Sequence, residues 1–185
     1  RFIKWILKKF VSIVLCTGDK MYYNYSIIET PLGSLSILAD NENLKMLKFS
    51  DSLQSFEKKF PMPKIVRKKN IILKTVEKQI HEYFRKERKI FDVPLDISLG
   101  TTFQQTVWNS LIDIQYGSLA SYADIARKIN HPNAYRAVGN ANNSNPISII
   151  IPCHRVVGSN GNLSGYGGGI DKKKFLIDFE EQYDW

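Results

Sequence analysis

Two hydrophobic periods divide this chain, and their order constrains its fold more than any other feature. Up to Phe49 apolar residues recur at alternate positions; beyond it they recur every third or fourth. Tyr23, Tyr25 and Ile27 alternate with Asn24, Ser26 and Ile28, and Leu35, Ile37 and Ala39 continue the pattern after a Thr30-Pro31-Leu32-Gly33 turn. Asn41-Glu42-Asn43 turns again into Leu44, Met46, Leu47 and Phe49. Strands followed by helices, without β-α-β alternation, predict an α+β protein rather than a parallel-sheet fold.

The helical part reads in two blocks. Asp51 caps a short helix carrying Leu53, Phe56 and Phe60, stopped by Pro61; Pro61, Pro63 and Arg67-Lys68-Lys69 read as loop; Asn70 opens a helix with stripe Ile72, Val76, Ile80 and Phe84. This makes a small N-terminal sheet-and-helix domain over residues 21–97, with a three-stranded antiparallel sheet. A second domain, 98–185, begins with Thr102 and Gln105 as a capping box (T-x-x-Q) ahead of Phe103, Val107 and Leu111. Ser121 caps a helix with Tyr122, Ile125, Ala126 and Ile129; Asn130-His131-Pro132-Asn133 turns; Ala134, Tyr135, Ala137, Val138 and Ala141 form another helix. Two short helices so joined predict a winged-helix or helix-turn-helix-like domain. Asp171 caps a last helix with Phe175, Leu176 and Phe179 buried and Glu180 at the stripe's edge.

Residues 1–20 are basic and apolar. Arg1, Lys4, Lys8, Lys9 and Lys20 against Asp19 supply half of the net charge of +8, which weakens overall basicity as a sign of nucleic-acid binding. The apolar run Val11–Cys16 is too short to span a bilayer, and an amphipathic helix or an extension ahead of a start at Met21 are the other readings; the extension is favoured because a strand begins directly at Tyr22. Two distant cysteines, Cys16 and Cys153, exclude a zinc ribbon or disulfide framework and fit a reducing, cytoplasmic compartment.

The chemistry gathers late in the chain. Ile147, Ile149, Ile150 and Ile151 form a buried run that empties into Pro152-Cys153-His154-Arg155-Val156. His154 and Arg155 are poor core residues, so the chain must reach a polar site there. Both would favour a thiolate at Cys153. Adjacent side chains rarely face each other, so a water relay between Cys153 and His154 is the expected link. On its pattern alone Glu180 is either the imidazole's acceptor or a surface acid beside Glu181, and His81 and His131 read as structural or surface residues.

Pro152-Cys153-His154-Arg155-Val156 resembles the active-site motif of the O6-alkylguanine-DNA alkyltransferases (methylated-DNA–protein-cysteine methyltransferases). Ser121-Tyr122, Arg136-Ala137-Val138-Gly139, Asn145-Pro146, Ser164-Gly165-Tyr166 and the Leu-x-x-x-Glu ending at Glu180 follow in the family's order over about residues 98–181. The resemblance implies stoichiometric, single-turnover repair of O6-alkylguanine, and of O4-alkylthymine, in double-stranded DNA. Cys153 would be the nucleophile, His154 the base through water and Glu180 its orienting acid. Tyr122 would protonate guanine N3, and Arg136 would fill the stack once the base is flipped out. The carbonyls of Cys153 and Val156 would accept from the guanine amino group, Gly167 N–H after Tyr166 would reach O6, and Asn145 would tie the turn before the active-site strand. The second helix, with small Ala137, Gly139 and Ala141, would enter the minor groove. No cofactor, metal or membrane partner is implied, and a monomer is expected.

Departures from the family pattern carry expectations of their own. Gly167 stands where some relatives have serine, Gly168 where some have bulkier residues (implying a roomier mouth), and Ser148 where some have a proline that packs on benzyl-type inhibitors. The four-cysteine zinc module of adaptive-response regulators is absent. A non-catalytic alkyltransferase-like lesion binder is the alternative, although such proteins usually replace the cysteine. A cysteine hydrolase using Cys153 and His154 would leave the helix-turn-helix unexplained.

Overall fold

The computed structural model describes residues 22–49, 64–163 and 165–181. Strands β1 (Tyr22–Ile28), β2 (Leu35–Ala39), β3 (Leu44–Phe49) and β4 (Lys64–Val66) precede α1 (Ile71–Phe84) and α2 (Thr102–Ile112). There follow β5 (Ala120–Ser121), α3 (Tyr122–Lys128), α4 (Tyr135–Asn143), a 3₁₀ turn at Cys153–Arg155, β6 (Val156–Val157) and α5 (Ile170–Glu181). The expected helix at 51–60 and the segment 1–20 lie outside the described residues.

The first sheet has four strands, ordered β3-β2-β1-β4, not the expected three. β1, β2 and β3 form an antiparallel meander, and β4 adds in parallel to β1 with Tyr22 opposite Lys64 and Asn24 opposite Val66. The prolines that argued for a loop, Pro61 and Pro63, lie outside the described residues. A three-residue strand shows no periodicity to read. β2 is buried on both faces. Ile28, Ile37 and Leu47 face the main core, whereas Tyr25, Leu38 and Met46 form a second cluster behind the sheet with Tyr23, Ile65 and Leu99. Asn24 and Ile28 are therefore buried while Ile27 is exposed.

Asn70 caps α1, its side chain accepting from Leu73 N–H. The helix buries Leu73, Val76, Ile80 and Tyr83 in the same apolar cluster as Val107, Trp108, Ile125, Val138 and Leu176, so one continuous core runs through both halves. The capping box of α2 sits one residue earlier than expected, on Thr101 and Gln104. Thr-Thr-Phe-Gln-Gln offers T-x-x-Q in two registers, and Gln105 instead donates to the carbonyl of Gly100. Ser121 caps α3 through a box closed by Asp124.

The edge of the sheet fixes the site. On β3, Leu44 N–H donates to Pro94 O and its carbonyl accepts from Asp96 N–H; Leu47 N–H donates to Pro146 O (3.0 Å) and its carbonyl accepts from Ser148 N–H (2.7 Å). An otherwise open strand edge is thus covered by the two chain segments that frame the second half. On the other side, β5 and β6 pair in parallel, setting Ser121 opposite Val157. The start of α3 is thereby fixed next to the segment that follows Cys153. Among the described residues no helix is long and apolar enough to cross a membrane.

Candidate active site

The segment between α4 and the 3₁₀ turn is held in an unusual backbone shape. Ile149 has φ 71°, a left-handed conformation that a β-branched residue avoids. Asn145 spans the distortion. Its amide donates to Ile151 O (2.8 Å) and Ile147 O (3.3 Å), and its side-chain oxygen accepts from Ile147 N–H (2.9 Å). Such strain persists where surrounding bonds over-determine it. The result is that Cys153 is delivered into a short 3₁₀ turn with its sulfur buried, the residue being 3% exposed.

Glu180 is the hub of this site. Its carboxylate is 2% exposed and accepts from His154 Nε2 (2.9 Å), Arg155 Nε (2.7 Å) and Nη2 (3.0 Å), Tyr83 Oη (2.8 Å) and Gly117 N–H (3.3 Å). Burial by itself would raise this carboxyl, but His154 and Arg155 outweigh it and hold the group well below the usual carboxylate range. Gly117 has φ +73°, and a Cβ there would lie 3.3 Å from the Glu180 carbonyl, so both conformation and contact call for glycine.

An ionised carboxylate only accepts, so His154 Nε2 must carry a hydrogen. Burial lowers the imidazole's proton affinity below its ordinary value, with Glu180 pulling the other way and Arg155 adding to the lowering. Arg155 already supplies the one positive charge that Glu180 balances, so the ring stays neutral. Nδ1 is then an unprotonated acceptor, buried and without a protein partner among the described residues. The arrangement provides a neutral base with its lone pair available.

Burial pushes the Cys153 thiol above its ordinary value, and the Asn145 amide and the charges of Lys173 and Lys48 recover only part of that shift. This corrects the expectation that His154 and Arg155 favour a resting thiolate. The guanidinium is turned toward Glu180 and the Ile114 carbonyl, and the imidazole is neutral. Cys153 rests as a thiol and needs a base to become a nucleophile.

Two family models match the chain: 6-O-methylguanine DNA methyltransferase, ribonuclease-like domain, over residues 21–97, and 6-O-methylguanine DNA methyltransferase, DNA binding domain, over residues 102–182. The methylated-DNA–protein-cysteine methyltransferase of Methanosarcina acetivorans is 44% identical over 156 residues, covering 84% of this chain and 97% of that one. The chain belongs to this methyltransferase family. The namesake from Haemophilus influenzae is 40% identical over 87% of each chain. The crystal structure of Mycobacterium tuberculosis O6-methylguanine methyltransferase superposes with a TM-score of 0.77 at 38% identity, covering 88% of this chain and 95% of that one. The M. tuberculosis OGT structure in complex with DNA gives 0.75 at 39%, covering 86% and 92%.

In this methyltransferase chain Cys153, His154, Glu180 and Asn145 are all buried; Glu180 is bonded to His154, and Asn145 to the Ile151 carbonyl two residues before Cys153. Tyr122 is half-buried: Lys173 Nζ lies 3.4 Å from its hydroxyl and 5.7 Å from its ring centroid. The Val156 carbonyl accepts from Lys173 (2.6 Å), and the Cys153 carbonyl accepts both from Asn142 (3.2 Å) and from the Val156 N–H. Tyr166 is buried and Gly167 exposed, its N–H in no backbone hydrogen bond among the described residues. Arg136 and Ala137 lie on the outer face of α4, with the Arg136 guanidinium 5.8 Å from the Tyr135 ring. Ala141 and Gly139 are not on that face: Ala141 is 2% exposed with its carbonyl bonded to Trp108, and Gly139 lies against the Tyr122 ring. A 3.6-residue period turns 138, 141 and 142 inward.

Residues outside the motif complete the site. Tyr83 comes from α1, 97 positions before Glu180, with no local signal of its role. Lys173 is fully buried, and burial pushes its ammonium down to about 8. Its signal was present: Lys173, Leu176, Ile177 and Glu180 lie at i, i+3, i+4 and i+7. They form the buried stripe of α5, whereas Phe175, expected inside, is 39% exposed and Asp171 lies within the first turn instead of capping it.

Proposed function

We propose that this chain repairs DNA by transferring the alkyl group of O6-alkylguanine, and of O4-alkylthymine, to Cys153, once per molecule. The observation that carries the reading is a buried thiol on the residue just before a buried histidine whose Nε2–H is committed to Glu180 and whose Nδ1 has no protein partner among the described residues. His154 Nδ1 receives the thiol proton through a water, and Sγ attacks the alkyl carbon in line. The carbon–sulfur bond forms as the carbon–O6 bond breaks, and the electron pair passes to the purine. Tyr122 donates its proton toward N3, Lys173 holds that tyrosine, and the proton lost by sulfur ends on the guanine. The products are a thioether and an unmodified base, so no external donor or metal enters the balance. Ionising sulfur only when the base is present suits a nucleophile that can be used once.

A base inside a duplex cannot reach a buried sulfur, so the nucleotide must rotate out. The exposed Tyr135-Arg136-Ala137 face of α4 is suited to the minor groove, with Arg136 occupying the gap left in the stack and Ala137 allowing close approach. Arg127 and Lys128 are drawn into local pairs with Asp124 and Asp113, which leaves Arg136 as the cation of α3 and α4 directed outward. Domains over 21–97 and 98–185 acting as a monomer in a reducing cytoplasm complete the proposal. It is tested by mixing the protein with duplex bearing O6-methylguanine and recording the mass of the Cys153 peptide. One added methylene (about 14 Da) per protein is expected. Folded protein that binds the duplex and acquires no adduct would instead be a lesion-binding relative without chemistry.

A further inference from the structure

Gly168 stands in a confined place for a reason unrelated to backbone freedom. Its neighbours Gly165 and Gly169 have φ of +48° and +94°, whereas Gly168 is not in the left-handed region. Yet a Cβ on Gly168 would lie 2.8 Å from Tyr166 Cε1 and 2.9 Å from Phe49 Cδ2, closer than real Cβ atoms approach ring carbons. The space that a side chain at 168 would use is already filled, and one of the groups filling it comes from the sheet of the first half. Glycine at 168 therefore leaves no empty space where its side chain would stand.

We propose that Phe49 is a specificity-determining residue for the transfer reaction: by filling the space beside Gly168 it sets where the Tyr166–Gly169 turn sits and how much room is left for the substituent on O6. The inference rests on the alkyl-transfer reading above. Phe49 is 7% exposed and cannot retreat freely. Two residues earlier on β3, Leu47 is bonded on both sides to Pro146 and Ser148, in the segment that leads to Cys153. The Lys172 ammonium of α5 lies 5.6 Å from the Phe49 ring centroid, closing it in from a second element. Tyr166 links this place to the sulfur: it is 8% exposed and packs in the same apolar cluster as Phe49 and Cys153. The rings of Phe49 and Tyr166 thus fill together the volume a side chain at 168 would need, and the two require glycine there.

The test uses the full chain and single-turnover transfer from duplexes carrying O6-methylguanine or O6-butylguanine. Phe49→Leu is expected to raise the butyl-to-methyl rate ratio by about threefold or more, because a smaller side chain lets the turn settle back. Gly168→Ala is expected to slow methyl transfer about tenfold, and Phe49→Leu combined with Gly168→Ala to recover part of that loss, about threefold, because the Tyr166 contact remains. Phe49→Met, which removes the flat ring at similar volume, replaces Phe49→Leu if that variant fails to fold. Equal slowing of both substrates, an unchanged ratio, or strictly multiplicative effects in the double variant overturn the role of Phe49. Failure of the unaltered protein to transfer any methyl group overturns the alkyl-transfer reading itself.

Discussion

Glu180→Gln preserves the shape of the side chain at the centre of the site and removes its charge. Four groups donate to this carboxylate: the His154 imidazole, the Arg155 guanidinium, the Tyr83 hydroxyl and the Gly117 amide. A carboxamide has one oxygen to accept with and turns an NH2 toward donors that cannot receive it. Arg155, whose side chain is 7% exposed, is left as an uncompensated buried cation. Breaking a buried pair in this way costs about 3–5 kcal/mol. For a domain of this size that lowers the melting temperature by roughly 6–20 °C. The chemistry suffers separately. Without the anion the imidazolium formed during proton transfer is no longer stabilised, and the bond that fixes Nε2 as the protonated nitrogen is lost, so transfer slows on the order of 10²–10⁴-fold. Differential scanning calorimetry and quench-flow transfer from O6-methylguanine duplex, at a temperature where the variant is folded, separate the two effects. Tyr83→Phe is the control: it removes one neutral donor, costs about 1 kcal/mol and slows transfer less than about tenfold. A Glu180→Gln protein that melts within about 2 °C of the parent and transfers within about threefold of its rate would refute the hub reasoning.

Arg136→Ala is expected to leave thermal stability unchanged and to slow transfer from duplex by about 10–100-fold, while transfer from the free base O6-methylguanine stays the same; equal slowing of both would contradict a role in holding the rotated nucleotide. His154 and Glu180 both have lowered proton affinity in the folded protein, so the stability they contribute is present at neutral pH and lost on acidification. It begins to fall below the ordinary imidazole value of 6.5 and falls further below the ordinary carboxyl value of 4.5, which acid titration of the unfolding free energy measures. The thiol is shifted upward, so in the free protein Cys153 should react slowly with iodoacetamide at neutral pH, with a rate that is still climbing at pH 9.0, where an ordinary thiol's rate begins to level off; fast alkylation at pH 7 would show a resting thiolate. Asn145→Ala removes the three bonds that hold the Ile147–Ile151 distortion, and a loss of about 2–4 kcal/mol in chemical denaturation is expected together with slower transfer.

Much of this protein is determined locally, and those parts are legible in the residue order. Alternation over 22–49 sets the meander, Asn70 and Ser121 start their helices with their own side chains, and Ile147–Ile151 is apolar because it is buried. In each case neighbours in sequence are the partners that matter. The order Pro152-Cys153-His154-Arg155, with Glu180 on a later helix, likewise names the chemical groups. What the chain order does not contain is direction and distance. That Arg155 faces Glu180 instead of the sulfur, that the thiol is held protonated, that Tyr83 reaches Glu180 and that Phe49 fills the space beside Gly168 were all decided by tertiary packing. The reason is electrostatic and steric at once: burial sets the cost of each charge, and only the folded arrangement determines which partner stands close enough to offset that cost or which ring fills the space a side chain would need.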